Sequence, residues 1–349
     1  MREGQGIFRP DGALPLVPPI EEDELISSWL ERTARFYGQA VQAMLHRVGR
    51  PPRSVDLSAL DLGMPQAALK TMAALLGTDA GHLAGRTIAA AYPWATGLVA
   101  RGSLGPQGRR GPKLRYAACP HRLEQQRLER GVSWLRPAWV LAPRTVCSAH
   151  HVPLVTMRPG GAAHPVWSDF LRRHTRASLS ACAGIEAAAF VPPSRPAWND
   201  EPAAVLHREM AHVQDAALAD AARGQWRARV TGEGRAVVAS DLVWAFTRAD
   251  RHDTDRLVYE AFSSDRLDDP WQVARRRRPG PVDFVTLPLE ERHLLLATAT
   301  VLTGSLDLQR LFHHTPGTWN DDLVTLTGRL RDADRTELRE RTRRWPEAV

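Results

Sequence analysis

Two short segments of the sequence contain residues that could bind a metal ion. Cys119 begins "CPHRL", and Cys147 and His150 lie in "CSAHH". Cysteine sulfur and histidine nitrogen are the usual ligands of structural zinc, which takes four ligands in a tetrahedron, and a tight turn can aim residues i and i+3 at one point. Since these residues supply three ligands, a fourth must come from elsewhere.

Neighbouring histidines are the candidates for the fourth ligand. His121 lies one residue early in its turn and His151 adjoins a ligand, so both should diverge from the metal, although the reach of an imidazole partly offsets this for His121. A water ligand would give an open site of the catalytic kind, but no glutamate stands in an HExxH-like relation to these residues. Two hypotheses remain: a zinc site of Cys119, Cys147, His150 and His121, or a metal-free relic held by apolar burial. We favour the relic and expect well under one zinc per chain.

The other histidines and acidic residues have no catalytic spacing. His313 and His314 lack a cysteine or carboxylate at a fixed distance along the chain, and the acidic residues between 253 and 269 show no magnesium-binding pattern. We therefore expect that the protein is not an enzyme, with a metal-dependent hydrolase as a remote alternative.

The basic residues indicate a polyanionic partner. The net charge is +7, and only two basic residues, Lys70 and Lys113, are lysine. The guanidinium group of arginine binds phosphate through several N–H donors arranged in one plane. An arginine-rich composition also arises from a GC-rich coding sequence, independently of any partner. The candidates for nucleic-acid contact are Arg86, Arg109, Arg110, Lys113, Arg172, Arg173, Arg275, Arg276, Arg277 and Arg278.

Hydrophobic periodicity predicts a mostly α-helical, multidomain protein. "DELISSWLERTARFYG" places Leu25, Ile26, Trp29, Leu30, Phe36 and Tyr37 on one helical face that ends at Gly38. Two further helices flank Gly77, with Thr78 as the expected N-cap of the second, and the spacing of Ala73, Gly77 and Leu83 is compatible with a weak helix-turn-helix signal.

The segment between about 114 and 159 has a different character. It is rich in β-branched and aromatic residues punctuated by prolines, which indicates short hairpins and therefore a small zinc-ribbon-like insert, either intact or degenerate. We predict an N-terminal helical domain with the helix-turn-helix-like pair over 1–112, a zinc-ribbon-like region over 113–195 and a C-terminal helical domain over 196–349.

Cysteine usage and hydropathy indicate a cytoplasmic, soluble protein. Three cysteines are too few and too oddly placed for a disulfide framework. The N-terminus lacks an apolar core region, and the longest apolar run, "LLLATATVL", is about half of what a bilayer requires.

Several motifs together resemble the TniQ family, which includes the TnsD-like target-selection proteins of bacterial transposons. They are "LPLVPPIEEDELISSWLERTARFYG", "MAALLGTDAGHLAGRTI", "RYAACPHRL" and "AWVLAPRTVCSAHHVPLV". The matching residues are Ser27, Ser28, Trp29, Leu30, Arg32, Gly77, Cys119, Pro120, Cys147, His150, Pro153 and Leu154. Arg122 stands where the family carries the second cysteine of its Cys-Pro-x-Cys knuckle, and a protonated guanidinium has no lone pair for a metal.

The resemblance implies a target-selection adaptor in DNA transposition, with no chemistry of its own. Such an adaptor binds target DNA or an RNA-guided effector complex, recruits an AAA+ ATPase and through it the transposase, and in RNA-guided members forms a homodimer. The alternative is a helix-turn-helix transcription regulator that reads an operator. If the helical pair contacts DNA, we expect Arg86 to contact phosphate.

Overall fold

The computed structural model describes residues 13–41, 43–44, 57–63, 65–102, 114–156, 201–223, 234–249, 254, 282–311, 324 and 326–343. Helices dominate these ranges. They are α1 Ile26–Phe36, α2 Leu57–Leu62, α3 Gln66–Leu76, α4 Ala80–Gly85, α5 Ile88–Ala91, α6 Pro120–Arg130, α7 Glu201–Ala222, α8 Gly234–Arg248, α9 Leu289–Thr303, α10 Leu306–Leu311 and α11 Asp332–Thr342. Three 3-10 segments, Pro93–Leu98, Pro137–Val140 and Phe284–Thr286, join them.

The β structure of the described chain is small. Strand β1 (Ala117–Ala118) pairs antiparallel with β2 (Val155–Thr156), in a register that places Ala117 opposite Thr156. Isolated bridges join Val99 to Leu141 and Val146 to Pro153. The mostly α-helical class with a small β insert is therefore confirmed.

Within that insert, the local structure differs from the expected run of hairpins. Helix α6 stands between the two cysteine motifs, and Pro137–Val140 forms a 3-10 turn. The reason is local: Pro120 occupies the first turn of α6, where a missing N–H costs nothing, and Pro137 does the same in the 3-10 turn.

Helix α1 confirms the predicted helix, with one correction. Leu25, Ile26, Trp29 and Leu30 are buried, but Phe36, which was expected on the same apolar face, is 58% exposed. The helix ends at Phe36 and the chain turns at Gly38, whose φ of +63° suits glycine. The ring of Phe36 therefore projects beyond the last buried turn.

The polar residues of the "SSWLER" motif hold α1 to its surroundings. Ser27 donates through its backbone amide (2.9 Å) and its hydroxyl (2.5 Å) to the carboxylate of Asp61. Ser28 donates to Glu24 at 2.9 Å and accepts from the amide of Leu135 at 3.1 Å. These buried bonds connect the first helix to α2 and to the chain that follows α6.

Arg32 completes this arrangement. Its guanidinium grips both carboxylate oxygens of the buried Glu24, at 2.8 and 2.5 Å, and donates to the carbonyl of Pro19 at 2.7 Å. Trp29 donates its indole N–H to the carbonyl of Pro18 at 2.7 Å. The proline-rich segment before α1 is thus hydrogen-bonded to side chains of that helix.

Three large apolar clusters form the core. One gathers α1 to α4, from Leu14 to Leu83, and a second is built from α7 to α11 with Val146. The third lies between them and includes Leu25, Leu141, Leu218 and Leu289. Residues of all three predicted domains therefore share one apolar cluster.

A buried arginine links α9 to the segment that follows the 3-10 turn Pro137–Val140. Arg292 is 1% exposed, and its guanidinium donates to the carbonyls of Leu287 (3.2 Å) and Ala142. Burial, which removes water from the charge, lowers the pKa of Arg292 to about 9.

Candidate metal centre

Cys119 is the N-cap of helix α6. Its backbone is extended (φ −89°, ψ 117°), Pro120 follows as the first helical residue, and its sulfur accepts from the amide of Arg122 at 3.4 Å. The amides of a first helical turn lack partners within the helix, so a cap residue satisfies one of them. The segment predicted as a tight metal-binding turn is thus the start of a helix that aims backbone N–H groups at the sulfur.

Cys147 and His150 lie in a tight turn that follows Val146. The amide of Cys147 donates to the carbonyl of Val152 at 2.9 Å, and the amide of His151 donates back to the carbonyl of Cys147 at 2.8 Å. His151 has a φ of +52°, which is uncommon for a residue other than glycine. This reversal directs Cys147 and His150 to the same side.

The two motifs meet at one point. Nδ1 of His150 lies 3.5 Å from the sulfur of Cys119 and 3.5 Å from the sulfur of Cys147. The three ligand atoms all lie within 4.8 Å of one another, and both cysteines are buried.

These distances fit zinc. With Zn–S of about 2.3 Å and Zn–N of about 2.0–2.1 Å, a tetrahedral angle places sulfur and nitrogen about 3.6 Å apart. Both sulfur–nitrogen distances match this spacing within a tenth or so of an ångström. The two sulfur–nitrogen edges of a tetrahedral site are therefore already in place.

The two thiols shift each other's pKa in opposite directions. The pKa of Cys147 is lowered by a hydrogen bond from Cys119 and, to a smaller extent, by His150. The same bond, together with burial, raises the pKa of Cys119. A thiol binds a metal in its deprotonated form, and the lowered pKa of Cys147 favours that form.

The fourth predicted ligand does not join the cluster. His121 is exposed, and its ring centroid lies 5.8 Å from that of His150, outside the group of atoms that could share one ion. Arg122 turns its side chain away to donate to Oε1 of Gln125 at 2.7 Å. Among the described residues, the fourth corner therefore has no protein ligand.

Arg86 is bound within the protein. Its guanidinium donates to the carbonyl of Glu21 at 3.1 Å and to that of Glu22, so it fixes the segment before α1. All other predicted nucleic-acid contacts lie outside the described residues: Arg109, Arg110, Lys113, Arg172, Arg173, Arg275, Arg276, Arg277 and Arg278.

The helical pair around Gly77 has the predicted turn. Gly77 has a φ of +60° and ends α3, while Ala73 and Leu83 are buried. The N-cap of α4 is Asp79, whose carboxylate accepts from the amide of His82, and not Thr78 as predicted. Because α4 has six residues, it is short for a helix that reads a DNA groove.

Residues that hold the ligand turn from outside were missed by the sequence analysis. Gln214 and Asp215 of α7 both bond to the segment around Cys147. No motif spacing links positions almost seventy residues apart, so only the folded arrangement identifies them.

Among the described residues, none of the helices combines the length and the apolar character needed to cross a bilayer.

Comparison with known families gives one match. Residues 15–154 match the family model TniQ, and this range contains the whole Cys/His cluster and the "SSWLER" helix. Neither the characterised proteins nor the solved structures give a significant match to the chain.

Proposed function

We propose that the protein is a target-selection adaptor in DNA transposition, because residues 15–154 match the TniQ family model. The TniQ domain fits transposition-associated target selection in general. In the proposed role, the protein binds target DNA or an RNA-guided complex and recruits an AAA+ ATPase, which brings the transposase. It performs no chemistry itself and acts as a monomer or a homodimer.

The observation that supports this role is the match over residues 15–154 together with the structural part that each motif residue plays. Ser27, Ser28 and Arg32 form buried bonds that join α1 to the rest of the matched segment, and Cys119 and Cys147 meet at its centre. Ser27, Ser28 and Arg32 of the matched segment thus have structural roles in the complete chain.

The decisive experiment tests partner choice. We expect the purified chain to bind an AAA+ transposition ATPase and to stimulate the loading of that ATPase on DNA. A chain that ignores the ATPase but protects a single operator sequence would instead be the helix-turn-helix regulator.

A charge variant tests the nucleic-acid contact. Replacing Arg275, Arg276, Arg277 and Arg278 with alanine should weaken DNA or RNA binding and reduce the slope of log affinity against log salt by up to about 3–4, because each phosphate contact contributes about 0.9 on duplex DNA. Replacing Arg339 and Arg343, of which Arg339 lies on the exposed face of α11, is the matched control. An unchanged slope in the quadruple variant would exclude the run from the interface.

For the Cys/His cluster, we propose reversible zinc binding by Cys119, Cys147 and His150 with water at the fourth corner. Bound zinc would link the start of α6 to the turn at Cys147 and would have a structural role. Zinc sites with four protein ligands contribute about 10 kcal/mol or more to folding small modules, and a site with one ligand fewer holds its metal less firmly. The chain therefore folds largely through its apolar clusters.

Metal analysis tests this site. We expect the purified chain to carry less than one zinc, to take up one equivalent on titration, and to lose that uptake in Cys147→Ser. Cys182→Ser is the control, because it removes the remaining cysteine and should leave uptake intact. Failure of the unaltered chain to take up zinc would refute the proposed site.

A further inference from the structure

Helix α7 forms hydrogen bonds to the turn that carries Cys147 and His150. This helix lies outside the segment that matches the family model. Gln214 is 1% exposed, and its Oε1 accepts from two consecutive amides, those of Thr145 (3.0 Å) and Val146 (3.2 Å). Its Nε2 donates to the hydroxyl of Thr145 at 3.2 Å. One side chain therefore satisfies three polar groups immediately before the first ligand of the turn.

The next residue of α7 holds the other side of the turn. Oδ1 of Asp215 accepts from the hydroxyl of Ser148 at 3.0 Å and forms an ion pair with Arg144. Gln214 thus bonds to the two residues before Cys147, and Asp215 bonds to the residue after it. The hydrogen bonds of Gln214 are buried, whereas that between Asp215 and Ser148 is exposed to water. The bonds of Gln214 are therefore the stronger constraint on the turn.

Apolar packing fixes the same segment. Val146 is fully buried, and the cluster to which it belongs is otherwise formed by residues between 206 and 338. The amide of Val146 is bonded to α7 while its side chain packs among the C-terminal helices. The backbone before Cys147 is therefore held by that region, whereas the opposing ligand Cys119 caps α6.

We propose that Gln214 is a positioning residue for the metal centre: it fixes the Cys147–His150 turn against Cys119, so that the ligand geometry depends on α7. Removal of its carboxamide would leave two buried amides without an acceptor and would release the turn from the helix. Groups beyond the ligands that orient a metal site typically change its affinity about 10- to 100-fold when they are removed. This inference rests on the proposed metal site and is independent of the transposition role.

The test compares three variants of the full chain. Gln214→Met keeps the length of the side chain and removes its acceptor, while Gln214→Glu keeps an acceptor for both amides. Gln309→Met is the matched control, because Gln309 is also buried and donates to a backbone carbonyl, that of Leu302, at 3.0 Å. Gln309 lies on α10, and its side chain has no hydrogen bond to the described residues of the ligand turn.

Two readouts decide the outcome. Competition with a chromophoric chelator measures the zinc dissociation constant, which should rise about 10- to 100-fold in Gln214→Met, with Gln214→Glu and Gln309→Met within about threefold of the unaltered chain. Hydrogen exchange of the metal-free chain should show the amides of Thr145 and Val146 exchanging at least about tenfold faster in Gln214→Met alone.

Unchanged exchange in Gln214→Met, or an equal loss of affinity in Gln309→Met, would overturn the proposed role of Gln214. If the unaltered chain takes up no zinc, the metal site itself fails, and the exchange readout alone then decides whether Gln214 holds the turn.

Discussion

At the scale of single residues, Arg122 shows how a position that cannot bind a metal still contributes a contact to the Cys/His cluster. Its guanidinium pairs with Gln125, while its backbone amide points at the sulfur of Cys119. Any residue except proline can supply that amide. Replacement of a ligand here thus removes one donor to the metal and leaves the helix start, with its partial positive charge, next to the remaining sulfur.

A buried histidine pair makes stability depend on pH. His207 and His293 have ring centroids 5.5 Å apart, and burial lowers the pKa of His207 from 6.5 to about 4. The unfolded chain binds this proton near pH 6.5 and the folded chain only near pH 4, so stability is lost as the pH falls through this window. For His207 alone the full loss is about 3 kcal/mol.

We therefore predict that the free energy of unfolding falls by about 2 kcal/mol less between pH 7.5 and pH 5 in His207→Leu than in the unaltered chain. Urea denaturation at the two pH values measures this difference. Asp61, whose pKa burial raises to about 6, acts in the opposite direction, but it is present in both proteins and cancels. Equal losses in the two proteins would show that His207 is not held neutral.

At the scale of secondary structure elements, the turn between α3 and α4 is the clearest case in which the sequence determines the geometry. Gly77 adopts a left-handed backbone, and the amide of Thr78 donates to the carbonyl of Ala73 at 3.0 Å, as in a glycine-terminated helix. Gly85, at the end of α4, does not have a positive φ, so its backbone conformation does not require glycine.

This contrast gives a paired prediction. Gly77→Ala should destabilise the chain by about 1 kcal/mol, because alanine is strained at positive φ, whereas Gly85→Ala should be neutral or stabilising by up to about 1 kcal/mol. No surrounding atom of the described residues lies within 4 Å of an added Cβ at either position, so a steric clash does not contribute to the difference in stability between the two variants. Thermal melts of the two variants measure the signs, and a loss of stability in both would contradict the argument.

Sequence patterns predicted the parts of the site that are governed by local rules. The glycine turn, the course of α1 and the convergence of Cys119, Cys147 and His150 follow from periodicity, backbone preference and ligand type. Helix α6 was missed because the composition around it indicated hairpins, although Pro120 after a capping residue is a helix-start signal. Gln214 was missed because its contacts depend on tertiary packing, which has no local signature.

At the scale of the whole molecule, the segment that matches the family is not separate from the rest of the chain. Leu218 and Leu289 pack in the same cluster as Leu25 and Leu141, and Thr156 donates to Glu290 at 2.9 Å. The C-terminal helices thus cover apolar surface of the matched segment.

A fragment of residues 1–156 should consequently fail to fold as a cooperative unit. Leu141, Val146 and Leu154 are fully or almost fully buried in the complete chain, and removal of the C-terminal helices would expose apolar surface around them. We expect the fragment to bind the dye ANS and to unfold over a broad range of urea, while the complete chain unfolds sharply. A sharp transition in the fragment, with unfolding free energy close to that of the chain, would contradict this expectation.

The contact between Arg292 and the carbonyl of Ala142 has a consequence for chimeric proteins. A buried guanidinium that loses its carbonyl acceptors would retain the cost of burial without compensation, and a carbonyl that loses its donor would be left inside an apolar cluster. A backbone carbonyl at position 142 is supplied by any residue, so C-terminal regions exchanged between relatives at a junction near residue 156 would be compatible only when the incoming region carries an arginine at position 292. Transplants that ignore it should be recovered mainly as insoluble protein, even where each half is intact.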